Sequence, residues 1–196
     1  MDVQTYLEVF KDGCPDHLRP LQCPHCIIDC RLHKHALYHR QVHTLRESFN
    51  IPVFRFYCPH CKRTAGVLPT FVGEHKQVAW DVHEAVLRQR TDDQTFNQVV
   101  QELDVSGVPY SAKTLWRWIK DWNTLLALIR DWAWMKILTM LHHANLPVGP
   151  EKPRREWEWL LGLWDQIREQ FPEFKGCGLL EWLYRQARAP AVAVAV

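Results

Sequence analysis

No stretch of this sequence is apolar for long enough to cross a bilayer. The most apolar one, residues 125–141, carries Arg130, Asp131 and Lys136 in its middle. Strong charge of one sign is missing too: 24 Lys and Arg against 22 Asp and Glu leave +2, which excludes a global polycation. Glycine is sparse, with 8 residues and no phosphate-cradling glycine loop. A His-Glu-x-x-His helix and a Ser/His/Asp arrangement are absent. The first ten residues hold Asp2 and Glu8 and no apolar core, so a secretory leader is not expected. With 47% hydrophobic residues the chain is too apolar to be a disordered tail. Its 196 residues suffice for one domain or two small ones.

Cysteine, histidine and tryptophan are present in quantity. Seven Cys stand at 14, 23, 26, 30, 58, 61 and 177. An odd number without a leader argues against a disulfide framework and for reduced, cytoplasmic thiols that hold metal. Cys23-Pro24-His25-Cys26 and Cys58-Pro59-His60-Cys61 repeat one tetrapeptide. A Cys-x-x-Cys knuckle aims two thiolates at one ion, and two knuckles complete a tetrahedral four-sulfur site. The expected ligands are therefore Cys23, Cys26, Cys58 and Cys61, holding one structural Zn2+. A rubredoxin-like iron site uses similar knuckles and is the chemical rival. Cys30, His33 and His35 lie close behind the first knuckle and are alternative ligands, although four thiolates already fill the shell. Cys14 and Cys177 lack a metal-spaced neighbour and read as small apolar residues. Four thiolates leave no open position for water, so such a site holds a fold together rather than hydrolysing anything. A small ribbon is expected to gain its stability mainly from the metal.

Between the knuckles the pattern is that of strands. Ile51, Val53, Arg55 and Tyr57 alternate with Phe54 and Phe56, and residues 37–42 can pair with them. Beyond Pro69 the period becomes helical, with Val78, Val82, Ala85 and Val86 on one face of a helix from about residue 74 to 90. Thr95 and Gln98 form a capping box for a helix carrying Phe96, Val99, Val100 and Leu103, which Gly107 and Pro109 break. Ser111 can cap the next helix, whose apolar positions run from Leu115 through Ile129 and which can continue past Trp134. Pro147, Pro150 and Pro153 mark a linker, followed by two more helices and an Ala/Val tail, 189–196, left frayed or as an added strand. The expected class is α+β: a small four-cysteine zinc-ribbon sheet, then a mainly helical region, then Trp-rich helices. The expected division is 1–72, 73–146 and 147–196.

Charge is unevenly spread. Residues 1–30 hold Asp2, Glu8, Asp12, Asp16 and Asp29 against Lys11 and Arg19, a net of −3. Residues 31–63 hold Arg31, Lys34, Arg40, Arg46, Arg55, Lys62 and Arg63 against Glu47, a net of +6. That segment suits an anion, and Arg40, Arg55, Lys62 and Arg63 are the expected phosphate contacts on double-stranded DNA. Its aromatics, Tyr38, Phe49, Phe54, Phe56 and Tyr57, suit either nucleic-acid binding or a small sheet core. The two helices around Gly107 match a helix-turn-helix in length and apolar spacing. In it Ser111, Lys113, Trp116, Arg117 and Lys120 would meet DNA, with Arg117 at a guanine edge or a phosphate. The acidic balance of 92–123, five acids to three bases, opposes this. Trp residues from 116 to 182 recur at helical spacing and suit a core, a protein partner or self-association.

The order Cys-Pro-His-Cys, Ala36-Leu37-Tyr38-His39-Arg40, Arg55-Phe56-Tyr57-Cys58 and Leu68-Pro69-Thr70-Phe71 resembles an uncharacterised bacterial family. Its members look like the zinc-ribbon and helix-turn-helix N-terminal part of insertion-sequence transposases. The resemblance covers residues 22–122. It implies the same four cysteine ligands and a reading helix over 111–120. Such transposases also carry an RNase H-like domain with three metal-binding carboxylates, a fold of more than about a hundred residues. Only residues 147–196 follow here, and they read as helices. The expectation is a non-enzymatic DNA-binding protein serving a mobile element or transcriptional regulation. The alternatives are an adaptor using its Trp-rich helices, an iron electron carrier, or a fragment of a longer transposase.

Overall fold

The computed structural model describes residues 2–74, 76–104, 110–141 and 153–188. The expected turn at Gly107 and Pro109, the linker prolines Pro147 and Pro150, and the tail 189–196 lie outside them. The chain is α+β. By its backbone contacts it divides into two compact units, where composition suggested three segments. One comprises Met1–Thr44, Ser48–Ala79 and Tyr184–Val196, the other Leu45–Glu47 and Trp80–Leu183.

The first unit is built on a three-stranded antiparallel sheet in the order β1-β2-β3, with β1 His33–His43, β2 Ser48–Tyr57 and β3 Thr64–Val67. β1 and β2 pair from His33↔Tyr57 to His43↔Ser48, with an irregularity between Lys34 and Ala36. β3 pairs along the other edge of β2, from Phe54↔Val67 to Tyr57↔Thr64. The alternation expected in β2 is present, but both of its faces are covered. Ile51 and Val53 are fully buried on one side, Phe56 on the other, and Arg55 stays exposed. Central strands read this way because each face has a layer to pack on.

One covering layer is α1, Val3–Phe10, capped by Asp2, whose carboxylate accepts the Thr5 N–H at 2.8 Å. Tyr6 donates its hydroxyl to the Pro52 carbonyl at 2.6 Å, and the ring of Phe10 stacks on Phe54 at 5.5 Å. Val3, Tyr6 and Phe10 thus join Leu32, Val42, Ile51, Val53 and Phe56 in one core. The sheet is therefore more than a hairpin beside four cysteines: it shares a hydrophobic core with a helix.

A correction concerns the helix expected from residue 74. The Lys76 N–H instead turns back to the Gly73 carbonyl at 3.2 Å, and Val72, Val78 and Ala79 sit in isolated bridges. Val78 bridges His43, Ala79 bridges Val72, and His43 exchanges backbone bonds with Gln77 (2.8 Å) and Ala79 (2.9 Å). The helix, α2, begins only at Trp80 and ends at Thr91.

The second unit is helical: α2, α3 Phe96–Asp104, α4 Ala112–Met140, α5 Pro153–Gln170 and the start of α6, Leu179–Arg188. The capping box holds. Thr95 Oγ1 accepts the Gln98 N–H at 3.3 Å while Gln98 Oε1 accepts the Thr95 N–H at 2.7 Å. Ser111 caps α4 through the Thr114 N–H at 3.2 Å. α4 runs past Trp134 to 29 residues, with Leu115, Trp118, Trp122, Leu126, Ala133 and Ile137 buried. The Trp residues are mostly core. Trp157 and Trp164 are fully buried, Trp132 stacks on Trp182, and His83 sits against Trp118 at 4.1 Å. The Trp122 indole N–H donates to His83 Nδ1 at 3.3 Å. Several charged groups in this unit are paired: Arg88 spans Glu84 and Asp165, and buried Glu156 accepts from Arg130 and Trp134.

Candidate metal centre

The two knuckles fold alike. In the first, the Ile27 N–H donates to the Cys23 carbonyl at 2.8 Å; in the second, the Lys62 N–H donates to the Cys58 carbonyl at 3.0 Å. Both donors lie in the left-handed region, Ile27 at φ 56° and Lys62 at φ 58°. That conformation turns the chain sharply enough to set both cysteines of each pair on the same side. The bridge Gln22↔Asp29 closes the first knuckle, and the Cys58 N–H bond to the Arg63 carbonyl at 2.9 Å closes the second.

The sulfurs of Cys23, Cys26, Cys58 and Cys61 all lie within 4.8 Å of one another. Cys23 Sγ is 3.6 Å from Cys61 Sγ, and Cys26 Sγ is 3.8 Å from Cys58 Sγ. A tetrahedral site with metal–sulfur bonds of about 2.3 Å has sulfur–sulfur edges of about 3.8 Å. The four thiols can hold a metal ion with little movement. Cys23 and Cys58, the first cysteine of each knuckle, are buried, and their partners are half-buried. The backbone N–H of Cys61 points at the Cys58 sulfur and pulls that thiol down to about 6, whereas desolvation pushes Cys61 up to about 11. The set thus already favours a thiolate at one position, the form that binds metal.

Two neighbours take places that spacing did not assign them. His25 Nε2 lies 3.2 Å from the Thr64 carbonyl, tying the first knuckle to β3. Cys30 Sγ lies 3.6 Å from Cys58 Sγ, although Cys30 is not among the four mutually close sulfurs. Its position four residues after Cys26 put it in view, but only the fold brings it to the far knuckle.

The residues expected on DNA fall in two places. On the ribbon, Lys62 and Arg63 directly follow Cys61 and are exposed, and exposed Arg55 donates to Thr64 Oγ1. Arg40 differs. It is half-buried, donates to the Gly73 carbonyl at 3.2 Å, and burial lowers its guanidinium below the usual arginine range. Of the aromatics interleaved with these bases, Phe56 is fully buried, Phe49 and Phe54 pack on the core, and Tyr38 remains exposed. On the helical unit, Lys113, Trp116, Arg117 and Lys120 are exposed on the first turns of α4, behind Ser111. Lys120 Nζ lies 5.4 Å from the Trp116 ring centroid. Among the described residues, no helix is long and apolar enough to cross a membrane.

Comparison with protein-family models, with curated proteins and with solved structures gives no match.

Proposed function

We propose that this chain is a zinc-ribbon DNA-binding protein, transposase-like in its N-terminal part and without a catalytic centre of its own, serving a mobile element or transcriptional regulation. The observation that carries this is the joining of metal and charge in one knuckle. Lys62 and Arg63 stand exposed directly after Cys61, so an ion held by the four sulfurs would fix two cations on a rigid turn. Zinc suits the set best: it is tetrahedral, favours thiolates and needs no open position in a structural role. Exposed Arg55 adds a third cation, on the strand that leads into that knuckle. The N-terminal turns of α4 add Lys113, Arg117 and Lys120, with the positive end of the helix dipole behind them. Phosphate contact by the ribbon and base contact by α4 divide affinity from sequence reading.

The test combines elemental analysis with a gel-shift using random and genomic DNA. One zinc per chain and a salt-sensitive shift support the proposal. Visible colour from an iron–thiolate site would favour the electron carrier instead. A zinc protein that shifts no DNA would favour the adaptor. The specific observation behind that second reading is the solvent face of α4, where Trp116, Leu128 and Met135 are exposed. Beside them a shallow groove is lined by Trp116, Ile119, Lys120, Asn123, Thr124 and Ala127.

A further inference from the structure

Five thiols meet at the metal centre, and a tetrahedral ion takes four. The fifth belongs to Cys30, half-buried, with its sulfur 3.6 Å from that of Cys58, as close as Cys23 is to Cys61. Its placement is built in. The Gln22↔Asp29 bridge and the Gln22 amide bonds to the Ile27 carbonyl (3.0 Å) and the Asp29 carboxylate (3.2 Å) close the loop that ends at Cys30. The loop therefore delivers two sulfurs to the ion and a third to the side of the opposite knuckle. Cys58 is the hub of the cluster, within 3.8 Å of Cys26 as well as 3.6 Å of Cys30.

Four of the five sulfurs would be ligands to the ion, whereas Cys30 stands outside the shell against Cys58. Of the five, Cys30 is the one whose oxidation does not itself consume a ligand. We propose that Cys30 is a hydroperoxide-reactive thiol and that Cys58 is its resolving partner, so that oxidation dismantles the metal centre. The inference rests on the reading of the four-cysteine cluster as a zinc site.

The chemistry balances in two steps. The Cys30 sulfur attacks the terminal oxygen of a hydroperoxide, the O–O bond breaks, the alcohol (water, for hydrogen peroxide) leaves, and Cys30 becomes a sulfenic acid. The Cys58 sulfur then attacks the Cys30 sulfur: the S–S bond forms, the S–O bond and the zinc–sulfur bond of Cys58 break, and the hydroxide takes a proton from solvent and leaves as water. One thiol, one zinc-bound thiolate, one hydroperoxide and one solvent proton give one disulfide, one alcohol and one water, with two electrons passing from sulfur to the peroxide bond. Cys23, Cys26 and Cys61 are left as a three-sulfur remnant. A dithiol reductant returns both sulfurs and restores the site.

The experiment uses the full chain as purified with zinc. Zinc content is measured first, then hydrogen peroxide is added. Released zinc is followed with a chromogenic chelator, and disulfides are mapped by peptide mass spectrometry. The expected result is a Cys30–Cys58 disulfide that appears in step with zinc loss and is reversed by dithiothreitol. Cys30→Ser and Cys30→Ala should start with the same zinc content and release it about tenfold more slowly or less. A Cys23–Cys61 disulfide, with release unchanged in both variants, would overturn the proposal. A chain that carries no zinc at the outset would fail the metal reading alone, because the disulfide map still reports whether Cys30 and Cys58 pair.

Discussion

Ile27 and Lys62 occupy equivalent positions, one after the second cysteine of each knuckle, at φ 56° and 58°. A side chain in the left-handed region costs about 1–2 kcal/mol, most for a β-branched residue such as isoleucine. Ile27 is also 71% exposed, so it recovers little by packing. Ile27→Gly is expected to stabilise the ribbon by about 0.5–1 kcal/mol after the flexibility cost of glycine, read as a rise in the thermal midpoint of the first unit. Lys62→Gly should stabilise similarly while weakening DNA binding, because it removes a proposed phosphate contact. A pair of variants that move stability together but affinity apart would separate the fold of the knuckle from its charge. At this level the meeting of four cysteine sulfurs was legible, since a Cys-x-x-Cys tetrapeptide repeated across a hairpin aims both pairs at one place. The strain at Ile27 was not: the sequence places no glycine there to mark the turn.

The helices carry the next level. Both caps named from sequence, Thr95 with Gln98 and Ser111, form as written, because capping depends only on residues within one turn. Ser111→Ala is expected to cost about 1 kcal/mol in unfolding by heat or urea. If α4 reads bases, Arg117→Ala should relax preference at one or two base pairs by about 1–3 kcal/mol, seen in binding to a randomised site library. An equal loss on every sequence would make the first turns of α4 a phosphate contact only. The start of α2 was illegible for an opposite reason. Val78 and Ala79 have helical spacing with Val82 and Val86, but pairing with His43 and Val72, dozens of residues away in the first case, takes them. Local period yields to a tertiary bridge that no local window contains. The same holds for α1, whose Tyr6 and Phe10 look unremarkable until Pro52 and Phe54 meet them.

For the whole molecule, charge and tryptophan supply the measurements. Replacing Arg55, Lys62 and Arg63 by alanine should flatten the log-log salt dependence of DNA binding by about 0.9 for each phosphate no longer neutralised. Arg40→Ala should change that slope less, since Arg40 is committed to the Gly73 carbonyl. All ten Trp fall between positions 80 and 182, inside the helical unit, so their emission reports that unit alone. Chelation, or Cys58→Ser, should therefore remove the metal and loosen the knuckles while leaving Trp emission unchanged. The core of Tyr6, Phe10, Ile51, Val53 and Phe56 should keep part of the sheet. The first unit also draws on the far end of the chain. Tyr184 accepts the Glu74 N–H at 3.3 Å across 110 positions, and Arg185 donates to Thr70. On a ribosome adding about 5–20 residues per second, those partners arrive some 5–20 s after residue 74. The knuckles, complete by residue 63, are made first, so a nascent chain presents four sulfurs able to take a metal ion well before its last supports have been translated.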